Sequence, residues 1–153
     1  KTGVLPRVKN RRLSDMAVVE ELIREENDGT LSFGNYLVDT KMKVLDFEVN
    51  GDLYYVKTYK DITKLEKNGK LLLEAVPGAA VMHFTQTEKS ASFGVEALDD
   101  VQITMEMEAG KEYKVLIDDV NVGSVKANLA GKVIFSVDTK GSEKQVMLEK
   151  VNG

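Results

Sequence analysis

Residues 101–137 read VQITMEMEAGKEYKVLIDDVNVGSVKANLAGKVIFSV, and their alternation decides the fold class. Val101, Ile103, Met105 and Met107 fall on one side of a pleat, and Gln102, Thr104 and Glu106 on the other. Tyr113, Val115 and Ile117 repeat the pattern, as do Val133, Phe135 and Val137. Successive side chains on a strand point to opposite faces, so each run has one wettable face and one that must be covered. Antiparallel sheets of this kind become stable when a second sheet closes over the dry face. The expectation is therefore an all-β fold, an Ig-like β-sandwich.

Working outward, the same period continues. Val44–Val49 and Leu53–Thr58 flank Asn50-Gly51, and Ile62–Glu66 and Lys70–Val76 flank Asn68-Gly69. Asn-Gly between alternating runs is a strong hairpin signal. Pro77-Gly78 closes that strand, and further strands are expected at Thr30–Val38, Ala80–Thr85, Ala91–Glu96 and Gln145–Glu149, with an extra one near Val122–Ala127. That makes about ten short strands at sandwich-like spacing. The core is expected to include Leu45, Phe47, Val49, Phe84, Phe93, Ile103, Met105, Tyr113, Val115, Ile117, Phe135 and Leu148.

The N-terminal residues read differently. Lys1, Arg7, Lys9, Arg11 and Arg12 face no acid within residues 1–12, a net charge of +5. Residues 13–28 hold six acids against Arg24, a net of −5. Gly3 and Pro6 favour an extended arm. Ser14 or Asp15 can cap a short helix running to about Asn27, because Val18 and Leu22, and Val19 and Ile23, are i, i+4 pairs. This helix would oppose its own dipole, with Arg11 and Arg12 before its start and Glu25, Glu26 and Asp28 at its end. It therefore needs an outside surface. The division expected is an appendage over residues 1–28 and a sandwich domain over 29–153.

The search for chemistry is largely negative. With one histidine, His83, and no cysteine, thiolate metal sites and disulfides are excluded, and the usual zinc ligand sets are lacking. Neither G-x-S-x-G nor a glycine-rich phosphate loop occurs. Asp99-Asp100 and Asp118-Asp119 with Asn121 fit turns better than a calcium loop. No cofactor is expected. The overall net charge of −4 gives no general attraction for nucleic acid. No run of about 18 apolar residues is present to span a bilayer. The lack of cysteine slightly favours a cytoplasmic protein, and a secreted or surface one stable without disulfides is compatible with it.

The runs GTLSFGNYLVDTKMKVLDFEVNGDLYYVKTYKDITKLEKNGKLLLEAVPG and EYKVLIDDVNVGSVKANLAGKVIFSVD resemble small β-proteins of Clostridia-like bacteria that often carry the label endosialidase. The resemblance covers Gly29 to the C-terminus and implies a compact β-protein. It carries over no catalytic residue: the only arginines, Arg7, Arg11, Arg12 and Arg24, all lie before Gly29. The function expected is a non-catalytic binding or assembly module that self-associates. Its interaction residues would be Val4, Leu5, Val8, Arg11 and Arg12 of the arm and Val18, Val19, Leu22 and Ile23 of the helix. The partner would be a second copy or another protein. The rival is a carbohydrate-binding or carbohydrate-active domain, with Tyr55 and Tyr59 as the ligand face for a glycan.

Overall fold

The computed structural model describes residues 17–152. Thirteen strands form two antiparallel sheets that stack as a β-sandwich, with no helix among the described residues. One sheet contains β1 (Ile23–Glu25), β2 (Leu31–Phe33), β7 (Ala80–Gln86), β8 (Ser90–Glu96), β13 (Lys144–Lys150), β10 (Glu112–Ile117) and β11 (Val120–Lys126), in that spatial order. The other contains β12 (Lys132–Asp138), β9 (Asp100–Glu106), β6 (Lys70–Val76), β5 (Ile62–Lys67), β4 (Asp52–Tyr59) and β3 (Met42–Val49).

The period-2 pattern accounts for the core. Val101, Ile103 and Met105 are buried on β9, opposite Val137, Phe135 and Val133 of β12. Facing them from the seven-stranded sheet are Phe33, Phe84 and Phe93, whose rings stack in a row across β2, β7 and β8. The centroids of Phe33 and Phe84 are 6.1 Å apart, and those of Phe84 and Phe93 are 6.0 Å apart. Both distances suit offset or edge-on aromatic packing. Of the expected core, Phe47 and Ile117 are only half-buried, and Leu45 is 66% exposed. The β3–β4 pairing shifts between Val44 and Phe47, and Asp46 takes φ +57°. This bulge turns Leu45 out of the pleat, a local break that alternation does not encode.

Both Asn-Gly hairpins form. Asn50 and Gly51, and Asn68 and Gly69, all take positive φ, between Val49↔Asp52 and Lys67↔Lys70 pairs. That is the type I′ geometry. Asp118-Asp119 makes a third two-residue turn of this kind, between Ile117 and Val120. Buried hydroxyls tie the layers together at one end. Thr63 Oγ1 lies 2.7 Å from Thr58 Oγ1 and exchanges hydrogen bonds with the Ala79 backbone, while Thr58 Oγ1 accepts from Asn35 N. Gly34, at φ +103°, leaves room for this join. A Cβ there would lie 2.3 Å from Ala79 O.

The expected helix is not found in its described part. Residues 23–25 form β1, paired with β2 as Ile23↔Phe33, Arg24↔Ser32 and Glu25↔Leu31. Val19 N donates to Gly34 O, and Gly34 N donates to Leu22 O, so the chain runs along β2 from Val19 onward. Val19, Leu22 and Ile23 are buried in the sandwich, and Val18 is half-buried. The apolar stripe did need cover, but a strand edge supplies it together with backbone partners, which a helix with reversed end charges cannot match. Residues 17–28 therefore belong to the sandwich, and the described fold begins at Ala17 rather than Gly29. The arm residues Val4, Leu5, Val8, Arg11 and Arg12 lie outside the described residues, as does the start of the expected helix.

Replacing Ile23 by Ala should lower stability by about 2–5 kcal/mol, as for a truncated core residue. Leu45→Ala should change it by about 0.5 kcal/mol or less. Urea midpoints measure both. Equal effects at the two positions would contradict the burial described here.

Candidate functional site

The sandwich has two dissimilar ends. At one, the described chain starts. Ala17 N donates to Glu96 Oε2 at 3.0 Å, and the Tyr36 hydroxyl donates to the same oxygen at 2.9 Å. Nearby, the Thr139 hydroxyl holds Ala97 O and Asp99 O, joining the end of β12 to the β8–β9 turn. Asp100 and Asp138 are cross-strand partners there, and ligand oxygens of Asp99, Asp100 and Asp138 all lie within 4.8 Å of one another. A hydrogen bond shared with Asp138, and that residue's charge, push the Asp100 carboxyl above its ordinary range. All three acids are exposed. Among the described residues this is the carboxylate group dense enough to hold a cation. Asp118, by contrast, spends Oδ1 on Gln145 N, and Asn121 spends its Oδ1 on Gly123 N, as turn residues do.

At the opposite end the sheets part around a cleft of about 520 Å³. Leu31 of β2, Phe84 of β7 and Leu72 of β6 supply its apolar lining; Tyr54 of β4 and Lys67 of β5 lie beside them. Gln86 at the end of β7, Glu88 in the following turn, and Glu106 and Glu108 at the end of β9 complete the wall. Gln86 is held by its amide nitrogen, which donates to Glu106 O at 2.8 Å and lies 3.1 Å from Met107 Sδ. Its Oε1 is buried and has no hydrogen-bond partner among the described residues. An unsatisfied buried acceptor costs about 1–3 kcal/mol, so an added donor here would be favourable. Partial burial pushes the Tyr54 phenol up, keeping it protonated. Lys150 Nζ, 2.6 Å from Glu108, holds the Glu108 carboxyl below its ordinary range. Lys132 lies 3.9 Å from Glu106, and Asp52 lies 3.5 Å from Lys67.

His83 does not form a catalytic relay. It sits at φ +54° in a bulge of β7, with its ring exposed. The Thr30 hydroxyl donates to Asp28 at 2.6 Å and lies 3.1 Å from His83 Nδ1, while Asp28 itself is 3.6 Å from that same nitrogen. A hydroxyl and a carboxylate on one ring nitrogen cannot pass a proton across the imidazole. Ser32 Oγ meets only the His83 backbone N and donates to Glu26, which lowers the Glu26 carboxyl.

Tyr55 and Tyr59 share the outer face of the six-stranded sheet, with Lys57 between them, and both are half-buried. Lys64 Nζ stands 6.0 Å from the Tyr55 ring centroid, covering a face that a sugar would need. The end cleft, in contrast, was not evident from sequence. It is assembled from six strands and the turns beside them, and no local motif marks their convergence.

No protein-family model, curated protein or solved structure matches the chain.

The Asp100 shift gives a titration test. Because its folded pKa is raised, Asp100 favours folding below its unfolded pKa. That contribution is lost as pH rises through the folded value. Asp138→Asn should return Asp100 towards the ordinary carboxylate range, read by NMR of the carboxyl carbons, and should flatten that part of the stability curve. An unchanged Asp100 titration would show that Asp138 is not the cause.

Proposed function

We propose that the chain is a non-catalytic binding and assembly module that associates with itself through its basic N-terminal segment. The observation that carries this reading is one of charge and place. Residues 1–12 have a net charge of +5, and residues 13–153, to which they are attached, have a net charge of −9. The lack of a nucleophile with a base on its far side, among the described residues, supports binding over turnover. The Ig-like character belongs to the same reading. Strands cross repeatedly between two antiparallel sheets, as in modules built for recognition, though architecture alone names no partner.

The geometry narrows the interaction set. Val19, Leu22 and Ile23 stabilise the chain's own sandwich and are spent there. Val4, Leu5, Val8, Arg11 and Arg12 are left to carry association. Exposed ion pairs contribute about 0–1 kcal/mol each, so charge sets salt sensitivity and the apolar residues set affinity. The glycan reading at Tyr55 and Tyr59 is the weaker one, because both rings are half-buried and Lys64 Nζ stands 6.0 Å from the Tyr55 centroid.

Analytical ultracentrifugation tests the proposal. The intact chain should sediment as associated species at low salt and shift towards monomer at high salt. A chain lacking residues 1–16 should remain monomeric in both. Identical sedimentation of the two chains would contradict it.

A further inference from the structure

The described chain begins at the Glu96 end of β8, while the cleft lies at the Gln86 end of β7. Ala80 pairs with Glu96, and Gln86 pairs with Ala91, so the two features sit at opposite ends of the same strand pair. Seven residues of strand separate them by about 20 Å. Ala17, to which residues 1–16 are joined, thus lies at the end of the fold away from the chain's own cleft. A neighbour stacked end to end would offer its cleft directly.

From this we infer that the N-terminal segment of one copy docks in the end cleft of the next, making head-to-tail assemblies. The inference rests on the self-association reading and adds its location. The chemistry of the cleft fits that occupant. Leu31, Leu72 and Phe84 present an apolar lining suited to Val4, Leu5 and Val8. Glu88, Glu106 and Glu108 outnumber Lys67 in the wall, which suits Arg7 and Lys9. Lys150 and Lys132 pair with Glu108 and Glu106, and Asp52 with Lys67, which leaves one net negative charge, that of Glu88, for the incoming cations. The rival acidic surface, the three exposed acids Asp99, Asp100 and Asp138, lies at the same end as Ala17.

Such an interface is heterologous, because cleft and segment are different surfaces. It closes into a ring or grows as a filament, depending on the rotation between copies.

A charge exchange in the full chain tests the inference. One variant carries Arg7→Glu and Lys9→Glu; the other carries Glu88→Lys and Glu106→Lys. Each alone should associate at least about tenfold more weakly than the parent, and mixing the two should restore association to within about threefold. Rescue on mixing excludes a segment folded back on its own cleft. Two results would overturn the inference while leaving self-association standing. One is a cleft variant that associates as the parent does. The other is an Asp99→Asn, Asp100→Asn and Asp138→Asn variant that loses association while the cleft variant keeps it. A parent chain that is monomeric throughout would overturn both readings.

Discussion

The structure depends on the closure of two half-dry sheets over each other. Neither sheet is stable in water with Phe33, Phe84 and Phe93 bare on one side, or with Ile103, Met105 and Val133 bare on the other. Stacking them buries both sets at once. It also fixes the register of every strand, because a slip of one residue would turn a core face outward. The two ends of the sandwich are consequences of that register. Strand ends that converge through the core leave Gln86, Glu106 and Lys67 around one opening, and Asp100, Asp138 and Glu96 around the other. Neither grouping exists in the chain until the sheets close.

Much of the fold was legible because it is written locally. Period-2 alternation named β9, β10 and β12, and the two Asn-Gly turns named the β3–β4 and β5–β6 hairpins. The errors came where tertiary cover outweighs local pattern. The i, i+4 pairing of Val18 with Leu22 and of Val19 with Ile23 reads as a helix, yet the free edge of β2 captures Ile23–Glu25 as a strand. The reversed end charges of that helix were the physical warning. Leu45 failed as a core residue because a bulge changes the parity of β3 after Val44. The candidate site was legible only in part. The basic charge of residues 1–12 stands out in the sequence, whereas the cleft requires six strands and their turns to meet.

If the segment and the cleft belong together, assembly follows from where they lie. With Ala17, where the segment is attached, and the cleft at opposite ends of the β7–β8 pair, a heterologous contact is favoured over a two-fold dimer. Ionic strength then becomes a control on assembly, since the Debye length falls from about 10 Å at 0.1 M salt to about 3 Å at 1 M. Among the described residues the outermost strands are β1 and β11 on one sheet and β12 and β3 on the other. On β11, Val120 and Val122 are exposed, with Gly123 at φ +137° bending the strand. Such a bend discourages edge-to-edge pairing with another sheet.

The most direct measurement uses the absence of cysteine from the sequence. A Val4→Cys chain carries a spin label at one place only. Mixed with unlabelled-spin, nitrogen-15-enriched parent chain, it reports by NMR which amides of a different molecule it approaches. The account predicts that Thr87, Glu88 and Glu108 broaden while Asp99, Asp100 and Asp138 do not. Broadening confined to the Asp99–Asp138 end, or none anywhere, would contradict it.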